Sequence, residues 1–223
     1  MPDQPALTFS QRPRTRSILR ALARGLLHTF AHLEVQGVEH VPLSGPLLIA
    51  CNHTSHLDPP TAVATVPREI EFVALADLRD VPITRTVIGA YGAIWVRRDE
   101  LDREVVRQCL AALDRGQAVW MAPEAGRSPT GALMPARQGV AWLAARSGAP
   151  VLPMAIAGAY QAAAQWQRLR RPTIQVRFGQ PVALTLPPDL DAAARRAALM
   201  ANMDTLMRQI AALLPPEYRG VYS

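Results

Sequence analysis

Two apolar patterns alternate along the chain. Short runs at 33–38, 47–51, 70–75, 92–96, 118–121, 151–157 and 173–179 have the length and composition of strands. Between them, 58 onward, 81–88, 102–115, 138–146, 159–169 and 189–214 carry helical spacing or helix-start signals, with Gly148 placed to close one helix. The first helix is the most explicit. Over 14–33, Leu19, Leu22, Leu26, Phe30 and Leu33 recur every three or four residues, with Ile18 and Leu27 alongside. Arg16, Arg20, Arg24 and His28 supply a basic flank. Strands alternating with helices predict an α/β fold. Residues 1–13, proline-rich and polar, are expected to be flexible.

One run changes character abruptly. From Leu47 the chain is apolar through Cys51, and then Asn52, His53, Ser55, His56 and Asp58 arrive together. Pro59 follows Asp58, the favoured order for a helix N-cap and first helical residue. Strand, loop and helix are expected, with the polar cluster where open α/β sheets place their ligands. On a continuous helix His53 and Asp58 would stand about 140° apart. A loop lets Asp58 fold back to one imidazole nitrogen and leave the other free as a general base. The competing reading has Asp58 only capping its helix and His53 bonded to a loop carbonyl.

Composition narrows the function. The 223 residues suit one medium domain, 49% hydrophobic and 19% charged. All 24 basic residues are arginine, which removes Schiff-base and P-loop lysine chemistry. No apolar run reaches the ~20 residues that span a bilayer. The start lacks the basic-then-apolar pattern of a signal peptide. Cys51 and Cys109 form no spaced framework, so a reducing cytosolic setting is expected. The formal charge of +6 leaves the basic helix two readings, packing on its own domain or resting on an anionic membrane surface. Nucleic acid is not an expected partner, because no aromatic–basic interleaving accompanies the arginines.

Three further polar sites lie at strand ends. The strand 92–96 opens at Gly92 and runs into Arg97 and Arg98, which face opposite sides. One of the two can reach a pocket, or both can form a solvated pair beside Asp99. The loop from Pro123 to Ser128, with Glu124, Gly126 and Arg127, suits either anion binding and site bracing or a surface turn. Pro150 and Pro153 argue for an edge strand or a bend beside a groove at 151–157.

Taken together these segments carry a family pattern. Asn52, His53, Ser55 and Asp58 match N-H-x-S-x-x-D, and Gly92, Ile94, Trp95, Val96 and Arg98 approximate G-x-I-F-I-x-R, which selects Arg98 over Arg97. Pro123, Glu124, Ala125, Gly126, Arg127 and Ser128 lie over P-E-G-T-R-S, with Ala125 for glycine and Gly126 for threonine. Arg137 and Gly139 stand for F-K-x-G, and 151–156, with Pro153, for the family's proline-bearing block. In this order the blocks cover 37–156, and the chain resembles the glycerolipid acyltransferase family.

The resemblance implies a single-domain mixed sheet flanked by helices over 34–223, and the residue pattern puts a membrane-associating amphipathic helix at 14–33 before it. It implies acyl transfer from acyl-CoA or acyl-carrier protein to the hydroxyl of a lysolipid such as lysophosphatidic acid, in phospholipid biosynthesis. A different lysolipid acceptor, such as lyso-ornithine lipid, is the alternative. His53 and Asp58 would be catalytic. Asn52, Ser55, Gly92, Arg98, Glu124, Gly126, Arg127 and Pro153 would bind substrate, Arg98 and Arg127 by clamping a phosphate. No metal or other cofactor is expected, and the enzyme would sit peripherally on the cytoplasmic face of the membrane.

Rival readings remain testable. His53, His56 and Asp58 could be metal ligands of a hydrolase, although no histidine follows His56. Ser55 or Cys51 could form an acyl-enzyme, although no G-x-S-x-G elbow is present. A non-catalytic membrane-binding protein would explain the basic helix but not the His-Asp pair.

Overall fold

A computed structural model gives the fold and describes residues 13–75, 80, 82–96 and 103–223. The apolar runs assemble as β1 (His32–Gln36), β2 (Leu47–Cys51), β3 (Ile70–Leu75), β4 (Ile94–Val96), β5 (Ala118–Met121), β6 (Val151–Ala157) and β7 (Thr173–Phe178). They form one sheet in the order β1-β7-β6-β2-β5-β3-β4. From β6 to β4 all neighbours are parallel. β7 runs antiparallel to β6 and parallel to β1, so the sheet is mixed. Every residue of β2 and β6 is buried, as continuous apolar strands covered on both faces require.

Seven described helices cover the sheet: α1 (Pro13–Phe30), α2 (Asp58–Thr65), α3 (Pro82–Tyr91), α4 (Arg103–Asp114), α5 (Gly139–Ser147), α6 (Ala162–Gln167) and α7 (Ala192–Leu213). Strand alternation divides the core. Leu48 and Ala50 pack with Leu113 of α4, Leu143 of α5 and Met207 of α7. Leu47, Ile49 and Cys51 pack on the other face with Leu27 of α1 and Ala62 of α2. Each such buried leucine or isoleucine contributes about 1.5–3 kcal/mol. β2 leads to β3 beyond β5, whereas β5 leads to β6 beyond β2. The connections therefore diverge at the carboxyl ends of β2 and β5, a topological switch point.

The structure corrects three expectations. The first is the boundary between helix and domain. α1 ends at Phe30 and the sheet begins at His32, so a division after residue 33 would cut β1.

The second is Pro153, for which an edge strand or a bend beside a groove is expected; it lies in β6, with a strand on either side. Its missing N–H goes unneeded because the β7 ladder starts at Met154↔Phe178, and the bridge Val151↔Val182 is out of step with it. Pro153 sits in that interruption, where its carbonyl accepts from Gly179 N at 2.8 Å.

The third concerns the basic flank of α1, read either as packing on its own domain or as meeting a membrane: Arg16, Arg20 and Arg24 bond to the protein. Arg16 is 3% exposed. Its guanidinium donates to both Glu71 oxygens at 2.6 and 2.8 Å and to Tyr91 O at 3.0 Å. Arg20 donates to Arg68 O, and Arg24 donates to Ala64 O, a carbonyl in the last turn of α2. Leu19, Ala23 and Leu27 pack inward on the same side, as does Leu33. The solvent-facing stripe is Ile18, Leu22, Leu26 and Phe30, each more than half exposed.

Candidate active site

The loop after β2 is built by side chains that hold its backbone. Asn52, at 1% exposure, donates from Nδ2 to Ile156 O at 2.9 Å and accepts from Ile156 N at 2.8 Å. A side-chain amide thus extends the β2–β6 ladder by one rung. His53 N then donates to Glu124 Oε2 at 2.8 Å, and His53 O accepts from Ser128 N at 2.7 Å. Glu124 Oε1 accepts from Met134 N at 2.7 Å. Glu124 therefore pins the histidine loop to the segment before α5, and burial holds its carboxyl above the ordinary range.

Asp58 folds back, as the loop reading expected, and does not cap its helix. It is the first residue of α2, whose cap position is Leu57 without a side-chain bond. Its Oδ2 accepts from Thr54 N at 2.6 Å, Ser55 N at 2.7 Å and His53 Nδ1 at 2.9 Å. The carboxylate is fully buried. A carboxylate oxygen accepts only, so the proton of neutral His53 sits on Nδ1 and Nε2 keeps its lone pair. The imidazole stands edge-on to Trp120, with centroids 6.0 Å apart and planes at 88°. Its side chain is 23% exposed. The geometry supplies an oriented base at the mouth of the switch point.

The remaining residues sort by position. Ser55 O accepts from Asp58 N and Ser55 Oγ from Leu57 N at 3.2 Å, so this hydroxyl shapes the turn. Arg127 and His56 are exposed beside His53, with Arg127 Nη1 donating to His56 Nε2. Burial first, and then the Arg127 charge, hold the His56 imidazole below its ordinary value. Ala125 occupies the left-handed region at φ 53, which explains why the resembling pattern carries glycine there. Space at Gly126 is open, with nothing within 4 Å of a Cβ.

Three of the named residues stand apart from this group. Asn52 is committed to Ile156 and has no exposed surface to offer a substrate. Gly92, at φ 82, closes α3 before β4 and so lies at the opposite end of the parallel strands from His53. Pro153 is buried within β6 against Gly179. Arg98 lies outside the described residues.

Neither rival arrangement is assembled. His53 and His56 face different partners, Asp58 and Arg127. Among the described residues no group of three His, Cys, Asp or Glu side chains is placed to hold a metal. Cys51 is fully buried, and burial with the Asp58 and Glu124 charges pushes its thiol well up, the reverse of a nucleophilic thiolate.

The sequence does not single out Trp120 or the Thr54 and Ser55 amides. Strand periodicity gives the face of Trp120 but not its neighbour, because β5 meets β2 only in the folded sheet.

Known proteins share this chain's pattern. The chloroplastic 1-acyl-sn-glycerol-3-phosphate acyltransferase BAT2 of Brassica napus is 27% identical over 135 residues, 59% of this chain and 39% of that protein. Human 1-acyl-sn-glycerol-3-phosphate acyltransferase alpha is 28% identical over 86% of this chain and 70% of its own length. The chain thus spans about two fifths of the plant relative's length. The crystal structure of the 1-acyl-sn-glycerophosphate acyltransferase PlsC from Thermotoga maritima shares the fold, with a TM-score of 0.66 at 21% identity, over 92% of this chain and 84% of that one. The Acyltransferase family model matches residues 32–157, from the first strand through the last residue of β6. That match takes in the histidine loop, its buried aspartate and the glutamate that braces it, and the chain belongs to the Acyltransferase family.

Proposed function

We propose that this protein is an O-acyltransferase that moves a fatty acyl group from a thioester to the free hydroxyl of lysophosphatidic acid. The observation that carries the reading is the His53 Nδ1–Asp58 Oδ2 bond at 2.9 Å, with two backbone amides locking the same oxygen. Nε2 of His53 takes the hydroxyl proton as that oxygen attacks the thioester carbonyl. Collapse of the tetrahedral adduct expels the thiolate of acyl-CoA or acyl-carrier protein, and the imidazolium returns the proton to it. Asp58 stabilises the imidazolium throughout; general-base help of this kind is worth ~10²–10⁴-fold. Arg127, exposed beside the base, is the described cation suited to the acceptor phosphate. Arg98 has the same role by resemblance. The names of the relatives support the acceptor.

In this reading the enzyme works peripherally, on the cytoplasmic face of a membrane. No described helix is long and apolar enough to cross one. Ile18, Leu22, Leu26 and Phe30 supply the contact, by shallow insertion of an apolar stripe, since Arg16, Arg20 and Arg24 are engaged with the domain. The test is thioester turnover by the purified chain with lysophosphatidic acid and with a phosphate-free lysolipid, using both donors. His53→Ala should abolish turnover in a folded protein. Normal turnover in that variant ends the mechanism, and equal use of the two acceptors ends the phosphate assignment.

A further inference from the structure

Leu169 is in a conformation and an environment that both disfavour leucine. The turn closing α6 is a Schellman pair, with Arg170 N donating to Gln165 O and Leu169 N to Trp166 O, each at 2.9 Å. This places Leu169 at the left-handed position normally held by glycine, and its φ is 56. A branched, bulky residue there is a conformational outlier. The side chain is also 96% exposed, so no packing inside the protein offsets the strain. One exposed leucine needs no explanation; a strained one with no contact does.

The surroundings indicate what it meets. Arg168 and Arg170 flank it, both exposed, and line a surface cavity of about 300 Å³ with Gln161, Ala164 and Gln165. Trp166 Nε1 donates to Phe30 O at 2.7 Å, and Arg171 donates to His28 O and Ala31 O at 2.7 and 2.8 Å. The turn is therefore tied to the end of α1, where the exposed apolar stripe finishes at Phe30. It lies between β6 and β7, at the sheet end that carries His53, and Tyr160 OH joins the same segment to Pro129 O, two residues after Arg127.

We infer that the turn 168–171 is a second membrane contact, in which Leu169 enters an anionic bilayer while Arg168 and Arg170 meet lipid phosphates. The inference rests on reading α1 as membrane-docking and extends that face to the rim of the active site. An apolar tip between two cations matches an interface that is anionic at the headgroups and apolar beneath. Two contacts, one along α1 and one at this turn, would fix the orientation of the enzyme and present the His53 mouth to lipid.

The experiment is cosedimentation of the full chain with phosphatidylcholine vesicles, with and without phosphatidylglycerol. Leu169→Gly suits the left-handed turn, so its urea midpoint should equal or exceed that of the parent. Its vesicle partitioning should fall about tenfold, the effect of losing one partly buried leucine. Arg168→Gln with Arg170→Gln should weaken binding to anionic vesicles only, and high salt should erase the difference. Leu22→Ser with Leu26→Ser tests α1 separately. If that pair loses binding while Leu169→Gly binds normally, the inference is overturned and the α1 reading stands. Normal binding by all three overturns both. Unchanged vesicle binding by Leu169→Gly, with weakened use of acyl-carrier protein, would assign the turn to an acidic protein partner and overturn the membrane inference.

Discussion

Replacing Asp58 with asparagine removes one charge and almost no volume. In the parent, three N–H groups converge on Oδ2 at 2.6–2.9 Å in a fully buried site. The asparagine must keep its carbonyl oxygen there, because the opposite flip would set an NH₂ against three donors. The NH₂ then takes the place of Oδ1, which has no hydrogen-bond partner among the described residues. Each bond to a charged acceptor is worth about 1 kcal/mol more than its neutral counterpart, so three lose about 3 kcal/mol. Burying a carboxylate itself costs several kcal/mol, which the variant avoids. The two effects oppose each other, and stability should move by less than about 2 kcal/mol.

Catalysis has no such compensation. The imidazolium formed during attack loses the carboxylate bonded to its Nδ1, and kcat should fall by about 10³–10⁴, as when a Ser-His-Asp triad is changed in the same way. That is about 4–5.5 kcal/mol in the barrier. The assay is release of the free donor thiol at saturating lysophosphatidic acid, beside urea unfolding of the same preparation. A folded Asp58→Asn protein with kcat within threefold of the parent would refute the charge-partner role of Asp58.

Glu124→Ala leaves His53 N and Met134 N without their acceptor, which costs about 2–4 kcal/mol in unfolding measurements and lowers kcat through a loosened histidine. The penalty falls toward the lower figure because the parent carboxyl is itself disfavoured by burial. Arg16→Ala strands Glu71 at 2% exposure and should cost about 3–5 kcal/mol, with much of the loss recovered when Glu71→Gln is added; urea midpoints decide. Acid should charge His56 against its burial and the neighbouring Arg127 charge. Because the folded protein holds His56 below its ordinary 6.5, it binds fewer protons there than the unfolded chain. The His56 contribution to stability is therefore complete above 6.5 and is lost as pH falls through the window beneath it. His56→Gln should flatten that part of the pH–stability curve, and an unchanged slope between pH 7 and 5 would refute the lowering of His56 by burial and the Arg127 charge.

Much of this protein is legible in its residues alone. β2, β5 and β6 read as apolar runs because strands buried on both faces need no polar alternation. Gly148 closes α5 at φ 69, a local signal, whereas α7 starts after its cap Asp191 and not at residue 189. The polar burst after β2 marked the site because a strand-to-loop change at a sheet's carboxyl end is itself a sequence event. Strand neighbours and docked faces were not legible. Pro153 reads as an edge or bend residue, and only the gap in the β7 ladder lets it sit between two strands. Asn52 looked like a substrate ligand until Ile156, more than a hundred residues away, took both ends of its amide. The basic flank of α1 fits either the domain or a membrane, since periodicity defines stripes on a helix but not which stripe meets the protein. Glu71, Arg68 O and Ala64 O decided that. Local spacing follows from backbone geometry and is written along the chain. Satisfaction of buried polar groups depends on partners distant in sequence, and only the folded sheet brings them within hydrogen-bonding distance.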